Sequence, residues 1–295
     1  MNPRTTLSRN RARYSLAGAV LGLPLVLAAC APTTTAAPET AAAASTQHVH
    51  EISIDRVTTN IILATHDGLY DATDRSPVLV GTDAIDLMGF TATAEPQVFY
   101  ASGHPGPSST LPNPVGLIRS TDAGKTWEPV SLQKRSDFHA LTASGNSLVA
   151  FDGQLRTSTD GTTWDTSSAT FVPMDLAGSP ATTVVLATTE AGLQRSTNSG
   201  MTWATVAGAP ILRLAAFAAS DERAPTEAVG VGPDGSVHVS TDAGLTWTPA
   251  GKVEGQVQAV TALAGTAGKP EIWVATAEGV QRSSDGGATF APATP

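Results

Sequence analysis

Five of the chain's six histidines fall between positions 48 and 139. Imidazole is a common ligand for zinc, copper, nickel and iron, and its ordinary pKa leaves its lone pair free near neutral pH. His48 and His50 stand two residues apart at the head of an alternating apolar run, so in a strand they share one side. His66 closes the apolar run from Asn60, His104 closes the run from Val98, and His139 opens the run from Ala140. A thioether from Met88 nearby would tilt the choice of ion from zinc towards copper. Asp67, Asp86 and Asp137 are the carboxylates placed to add a ligand or to orient a ring. The spacing matches no ligand motif such as His-Glu-x-x-His, so a metal site depends on the fold bringing these residues together. A metal-free ligand pocket and plain hydrogen bonding at a polar rim remain open. The same three carboxylates, with Asp175, are candidates for the acid and base of a glycosidase, which needs two carboxyl groups at a set separation across a cleft.

The element that would bring them together is a repeat. Ser120-Thr-Asp122-Ala-Gly124-Lys-Thr126-Trp127 returns as Ser240-Thr-Asp242-Ala-Gly244-Leu-Thr246-Trp247. Variants centre on Asn198 and Asp285, and a copy shorter by one residue centres on Asp160. The closing aromatics, Trp127, Trp164, Trp203, Trp247 and Phe290, are 37, 39, 44 and 43 residues apart. That is the period of a four-stranded propeller blade. A Ser hydroxyl and an Asp carboxylate accept main-chain N–H groups in a tight turn, Gly supplies positive φ, and the aromatic packs into a sheet. The five acidic or amide residues therefore read as turn staples rather than catalysts. Residues 48–295 divide into six such units, the first without the octapeptide, which predicts an all-β, six-bladed propeller of four-stranded antiparallel blades. In each blade the start of the inner strand and the end of the second share one face, and the octapeptide turn lies on the other. All five histidines then sit on one face of three adjacent blades, with His50, Met88, His139, Asp175, Arg213 and Gln258 around the axis. His238, on a third strand, reads as a surface residue.

The octapeptide resembles the Asp-box, or BNR, repeat of β-propellers. The order of His48-Val-His50, Ala64-Thr-His-Asp-Gly-Leu69, Met88-Gly-Phe90, Ala101-Ser-Gly-His-Pro-Gly106, Leu111-Pro-Asn-Pro114 and Asp137-Phe-His-Ala-Leu141 resembles bacterial lipoproteins labelled glycosyl hydrolase-like. The repeats are also similar to those of sialidases, sortilin-type receptors and photosystem II assembly factors. That resemblance implies either a hydrolase acting on extracellular glycans or a module that binds a glycan or protein. A sialidase site would need an arginine triad and a Tyr nucleophile, but Arg119, Arg195 and Arg282 recur at one position before the repeat, as structural residues would. The Arg-Ile-Pro element of sialidases is absent.

At the amino terminus, Arg4, Arg9, Arg11 and Arg13 precede an apolar run from Leu16 to Ala29, the layout of a secretory signal. The run ends in Leu27-Ala28-Ala29-Cys30, which resembles a bacterial lipobox. Cys30, the only cysteine, would carry the lipid. Residues 1–29 are expected to be the signal peptide, and 30–47, rich in Pro, Thr and Ala, a flexible tether. Removing the four arginines leaves 13 basic against 26 acidic residues, a net charge of −13. Such a balance argues against nucleic acid or an anionic lipid surface as partner. The expectation is a monomer outside the cytoplasm, held by its lipid to the cell membrane, or to an outer membrane if the host has one. The leading function is a non-catalytic module binding a ligand or metal; a glycoside hydrolase and a protein-assembly scaffold are the alternatives.

Overall fold

The computed structural model of the protein describes residues 48–55, 58–220 and 224–293. The signal segment, Cys30 and the tether lie outside them. Four consecutive strands form each unit. The first has β1 (Val49–Ile54), β2 (Ile61–Thr65), β3 (Gly68–Asp71) and β4 (Val78–Leu79). The second has β5 (Asp86–Ala92), β6 (Phe99–His104), β7 (Leu117–Ser120) and β8 (Glu128–Ser131). Then come β9 (Ala140–Ser144), β10 (Ser147–Phe151), β11 (Leu155–Ser158) and β12 (Asp165–Thr166), and β13 (Asp175–Ser179), β14 (Thr182–Thr188), β15 (Gln194–Ser196) and β16 (Ala204–Thr205). The last eight are β17 (Leu214–Ala219), β18 (Ala228–Val231), β19 (Ser236–Ser240), β20 (Thr248–Lys252), β21 (Val257–Leu263), β22 (Glu271–Thr276), β23 (Gly279–Ser283) and β24 (Ala291–Pro292).

Within each unit neighbouring strands pair antiparallel in chain order. The first strands pack side by side, β1 on β5, β5 on β9, β9 on β13, β13 on β17, β17 on β21, and β21 back on β1. The ring is closed; the chain is a β-propeller. The expectation of six separate blades needs correction, however. Four sheets of four strands stand alone, and the other eight strands form one curled sheet. β17 and β21 are joined there by parallel pairing of Ala218 with Ala262 and Ala219 with Leu263. Alanines on both sides let these two inner strands approach to main-chain hydrogen-bonding distance, extended by the Ala264 N–H donating to the Ala219 carbonyl at 2.8 Å.

The core lies between the sheets. Ile62, Ala64 and Leu69 of the first unit bury against Ile85, Leu87, Phe90 and Phe99 of the second. Val49, Ile52, Ile54 and Leu63 bury against Ala259, Trp273 and Ala275 of the last, which closes the ring. Each fully buried Leu or Phe contributes about 1.5–3 kcal/mol. The aromatics that end the octapeptides line the same layers, Trp127 beside the first-to-second cluster and Trp164 beside the next.

The octapeptide turns sit at the end of the sheets away from the inner-strand starts, and they are held by their own side chains. Ser120 Oγ donates to Asp122 Oδ1 and accepts from the buried Gly124 N–H, both at 2.8 Å. Asp122 accepts from the Thr126 N–H at 2.9 Å and its hydroxyl at 2.7 Å. Asp242 and Asp285 repeat this with Thr246 and Thr289, and Asn198 with Thr202. In the short copy Asp160 takes the N–H groups of Thr162 and Thr163, each at 2.7 Å. Hydrogen bonds from the following threonines hold Asp122, Asp242, Asp285 and Asp160 below the usual carboxylate range. Gly124 has φ +86°, and a Cβ there would come 2.2 Å from Leu69 Cδ2, so only Gly fits.

Candidate metal centre

At the opposite end, β1 and the turn after β2 bring three imidazoles together. β1 pairs Val49 with Thr65 and slips register between Val49 and Glu51, which makes His50 a bulge residue. A bulge re-aims the side chain it carries. His66 follows Thr65 directly, and His48 enters β1 in a left-handed conformation, φ 45°. The ligand atoms of His48, His50 and His66 all lie within 4.8 Å of one another. The His50 and His66 rings meet edge to face at 4.3 Å, and His48 stacks on His66 at 5.3 Å. His50 Nε2 is 3.3 Å from His66 Nδ1.

Asp86, the first residue of β5, joins them. Its Oδ1 is 2.8 Å from His66 Nδ1 and 3.8 Å from His50 Nε2. Across β5 and β6 Asp86 pairs with His104. Gly103 holds this approach: at φ +146°, a Cβ on it would lie 1.9 Å from the Asp86 carbonyl oxygen. Burial, with His66 and His48 alongside, pushes the His50 pKa down to about 4. Burial, His66 and Arg213 lower that of His48. His50 is therefore neutral at pH 7.

A second group forms around Asp137. Its Oδ2 is 3.1 Å from His104 Nε2 and 3.3 Å from His139 Nε2. Its Oδ1 is buried and without a hydrogen-bond partner among the described residues. The other nitrogen of His104, Nδ1, lies 2.7 Å from Asn113 Oδ1. The hydrogen bond with Asn113 raises the His104 pKa against the opposing effect of burial, and the Asp137 charge adds a smaller upward push.

Asp175, Arg213 and Gln258 serve as braces near the axis. Gln258 Oε1 accepts from the Val49 N–H at 2.9 Å, Asp175 Oδ2 from the Ala215 N–H at 2.8 Å, and Arg213 donates to the Val257 carbonyl at 3.3 Å. Beneath them a cavity of ≈430 Å³ is lined by Glu51, Thr91, Thr142, Asp175 and Ala215, among others. Burial pushes the Asp175 carboxyl up to about 6, against hydrogen bonds from Ala215 and Leu176. Burial and then the Asp175 charge push Glu51 well above its ordinary value. Glu51 keeps partial exposure to the cavity, but protein surrounds it, and that governs its ionisation.

The five histidines thus fall into two groups rather than one. Met88 occupies the bulge of β5, between Leu87 and Gly89, and is half-buried. Asp67 lies in the exposed β2–β3 turn, its N–H donating to Thr65 Oγ1 at 3.1 Å. His238 is half-buried rather than a surface residue: its Nδ1 is buried with no partner among the described residues. The recurring arginines are structural props. Arg282 pairs with Glu271 at 2.5 Å and covers the Trp273 ring, and Arg195 donates to the Ala243 carbonyl at 2.8 Å. Reading the sequence missed Asn113 and Glu51. It also missed the bulges at His50, Met88 and Gln258, where three inner strands slip at equivalent places.

No protein-family model matches the chain, and no curated protein matches it. Solved structures do resemble it. A GH74 enzyme of Niastella koreensis has a TM-score of 0.57 and 21% identity over 83% of this chain and 37% of the enzyme. A GH74 xyloglucanase of Xanthomonas campestris has a TM-score of 0.57 and 17% identity over 83% of this chain and 38% of the enzyme. A YCF48 structure bound to D1 peptide has a TM-score of 0.50 and 17% identity over 84% of this chain and 82% of YCF48. The chain spans just over a third of the length of those two GH74 enzymes. These likenesses show the β-propeller fold, which the chain shares with the GH74 enzymes and YCF48.

Proposed function

We propose that this chain is a non-catalytic binding propeller whose His48, His50, His66 and Asp86 hold a zinc or copper ion. One observation carries the reading. With separations of 3.3, 2.8 and 3.8 Å, a point equidistant from His50 Nε2, His66 Nδ1 and Asp86 Oδ1 lies about 2.0 Å from each, close to a Zn–N bond of about 2.0–2.1 Å. His66 Nδ1 has a single proton or lone pair to offer and faces both an imidazole nitrogen and a carboxylate. A cation satisfies all three at once. His48, exposed at the rim, supplies a fourth ligand by turning its ring inward. Three nitrogens and one oxygen suit zinc or copper(II) over magnesium or calcium.

The hydrolase alternative is weaker because Asp86 and Asp137 are both engaged by imidazoles, Asp175 braces the Ala215 N–H, and Asp67 lies in an exposed turn. The lipobox-like Leu27-Ala28-Ala29-Cys30 supports, as part of the same proposal, a lipid-anchored protein acting outside the cytoplasm. Elemental analysis of the purified full-length chain, with and without added zinc or copper, tests the metal reading. Near-stoichiometric metal that is lost in a His50→Ala/His66→Ala variant supports it. No retained metal after reconstitution overturns it and favours a scaffold that binds through its disc surface.

A further inference from the structure

We infer that the central cavity of the propeller is a binding site for a small alkyl amine, whose ammonium group Glu51 and Asp175 hold. The cavity volume of ≈430 Å³ falls within the range of about 300–1,000 Å³ that small-molecule sites occupy. Its lining changes along the axis. Glu51, the third residue of β1, and Asp175, the first of β13, stand at the end nearer the inner-strand starts. Ala177 and Ala262 line it farther along, and the lining continues to Ala94 and Pro180, beyond the ends of β5 and β13. Two carboxyl groups at one end and methyl groups along the wall fit a molecule with a cationic head and an alkyl chain behind it. No lysine, arginine or histidine lines the cavity, so its own walls supply no countercharge.

Glu51 adds an independent sign. Asp175 Oδ2 accepts the Ala215 N–H at 2.8 Å. The Glu51 carboxyl has no hydrogen-bond or ion-pair partner among the described residues, although protein encloses it. An ionisable group buried in this way is costly unless it is neutral or paired. Burial and the Asp175 charge oppose its ionisation, so Glu51 keeps its proton to higher pH than an exposed Glu does. An ammonium group beside it supplies both the absent donors and the absent positive charge. The Glu51 proton then leaves to solvent as the ion pair forms. The competing reading is a channel of water around a protonated acid.

This site shares no residue with His48, His50, His66 and Asp86, and it does not rest on the metal reading. Calorimetric titration of the full-length chain with hexylamine, and with hexanol as its uncharged match, separates the two. Hexylamine should bind at a single site and release protons, read from titrations in two buffers of unequal ionisation enthalpy. Hexanol should bind at least about 10-fold more weakly, as the loss of a charged hydrogen bond requires. A Glu51→Gln/Asp175→Asn variant with unchanged circular dichroism should lose hexylamine affinity by a similar factor. Equal affinity for the amine and the alcohol reduces the cavity to an apolar channel and overturns the inference. So does amine binding without proton release, amine binding that survives the double substitution, or no amine binding at all. The comparison of amine with alcohol uses the wild type alone, so it holds even where the variant fails to fold.

Discussion

Replacing Asp175 with Asn should make the protein more stable at neutral pH, although it removes a charge that accepts a hydrogen bond. Burial raises the folded Asp175 pKa to about 6, whereas an unfolded Asp titrates near about 3.9. Between those values the folded state holds more protons than the unfolded state, so stability falls as pH rises from about 4 to about 6. Two pK units correspond to about 3 kcal/mol. Partial exposure of Asp175 to the central cavity makes that an upper bound. The amide oxygen of Asn can still accept the Ala215 N–H that Asp175 takes at 2.8 Å, so the brace between inner strands survives. Removing the charge also relieves Glu51, whose ionisation it opposes. For a domain of this size 1 kcal/mol is about 2–4 °C, so the variant should melt up to roughly 10 °C higher at pH 7 and within a degree or two of wild type at pH 4. Paired thermal melts at pH 4, 5, 6 and 7 provide the assay. His50, with a lowered pKa, works in the opposite direction in this window, because its neutral folded form loses stability as pH falls from about 6.5. It is the same in both proteins and drops out of the difference. A difference that does not change with pH, or a variant less stable at pH 7, would refute the reasoning.

The octapeptide turns give a second stability test. Ser240→Ala removes the acceptor of the buried Gly244 N–H, 2.9 Å away, and should cost about 1–3 kcal/mol in a denaturant melt. Gly103→Ala should displace Asp86, since a Cβ there would meet its carbonyl at 1.9 Å; zinc at the His50–His66 site should weaken at least 10-fold by calorimetry, as expected when a ligand moves. Zinc retention at that site should fall only as pH drops towards about 4, because protons compete with the ion for the His50 lone pair there; equilibrium dialysis from about pH 4 to 7 reads this directly. Cys30→Ser should move the protein from the membrane fraction to the soluble fraction when cells are fractionated, if the lipid is its anchor.

The octapeptide spacing made the propeller legible, because a blade is a local unit: its turns, its Gly positions and its closing aromatic all lie within about 40 residues of one another. The placement of His50, His66, His104 and His139 on one face also followed from strand order, which the chain direction dictates in an antiparallel sheet. Three things were beyond the sequence. The union of the last eight strands depends on how closely β17 and β21 approach, which the packing of whole sheets decides. The division of five histidines into two groups depends on Asp86 standing beside His66 and Asp137 beside His104, contacts between different sheets or between a strand end and a loop. The aim of His50 depends on a bulge, a single extra residue that alternation of side chains cannot reveal. Periodicity sets which side of a strand a residue occupies; the distance between two ligand atoms on different strands is set only when the ring closes.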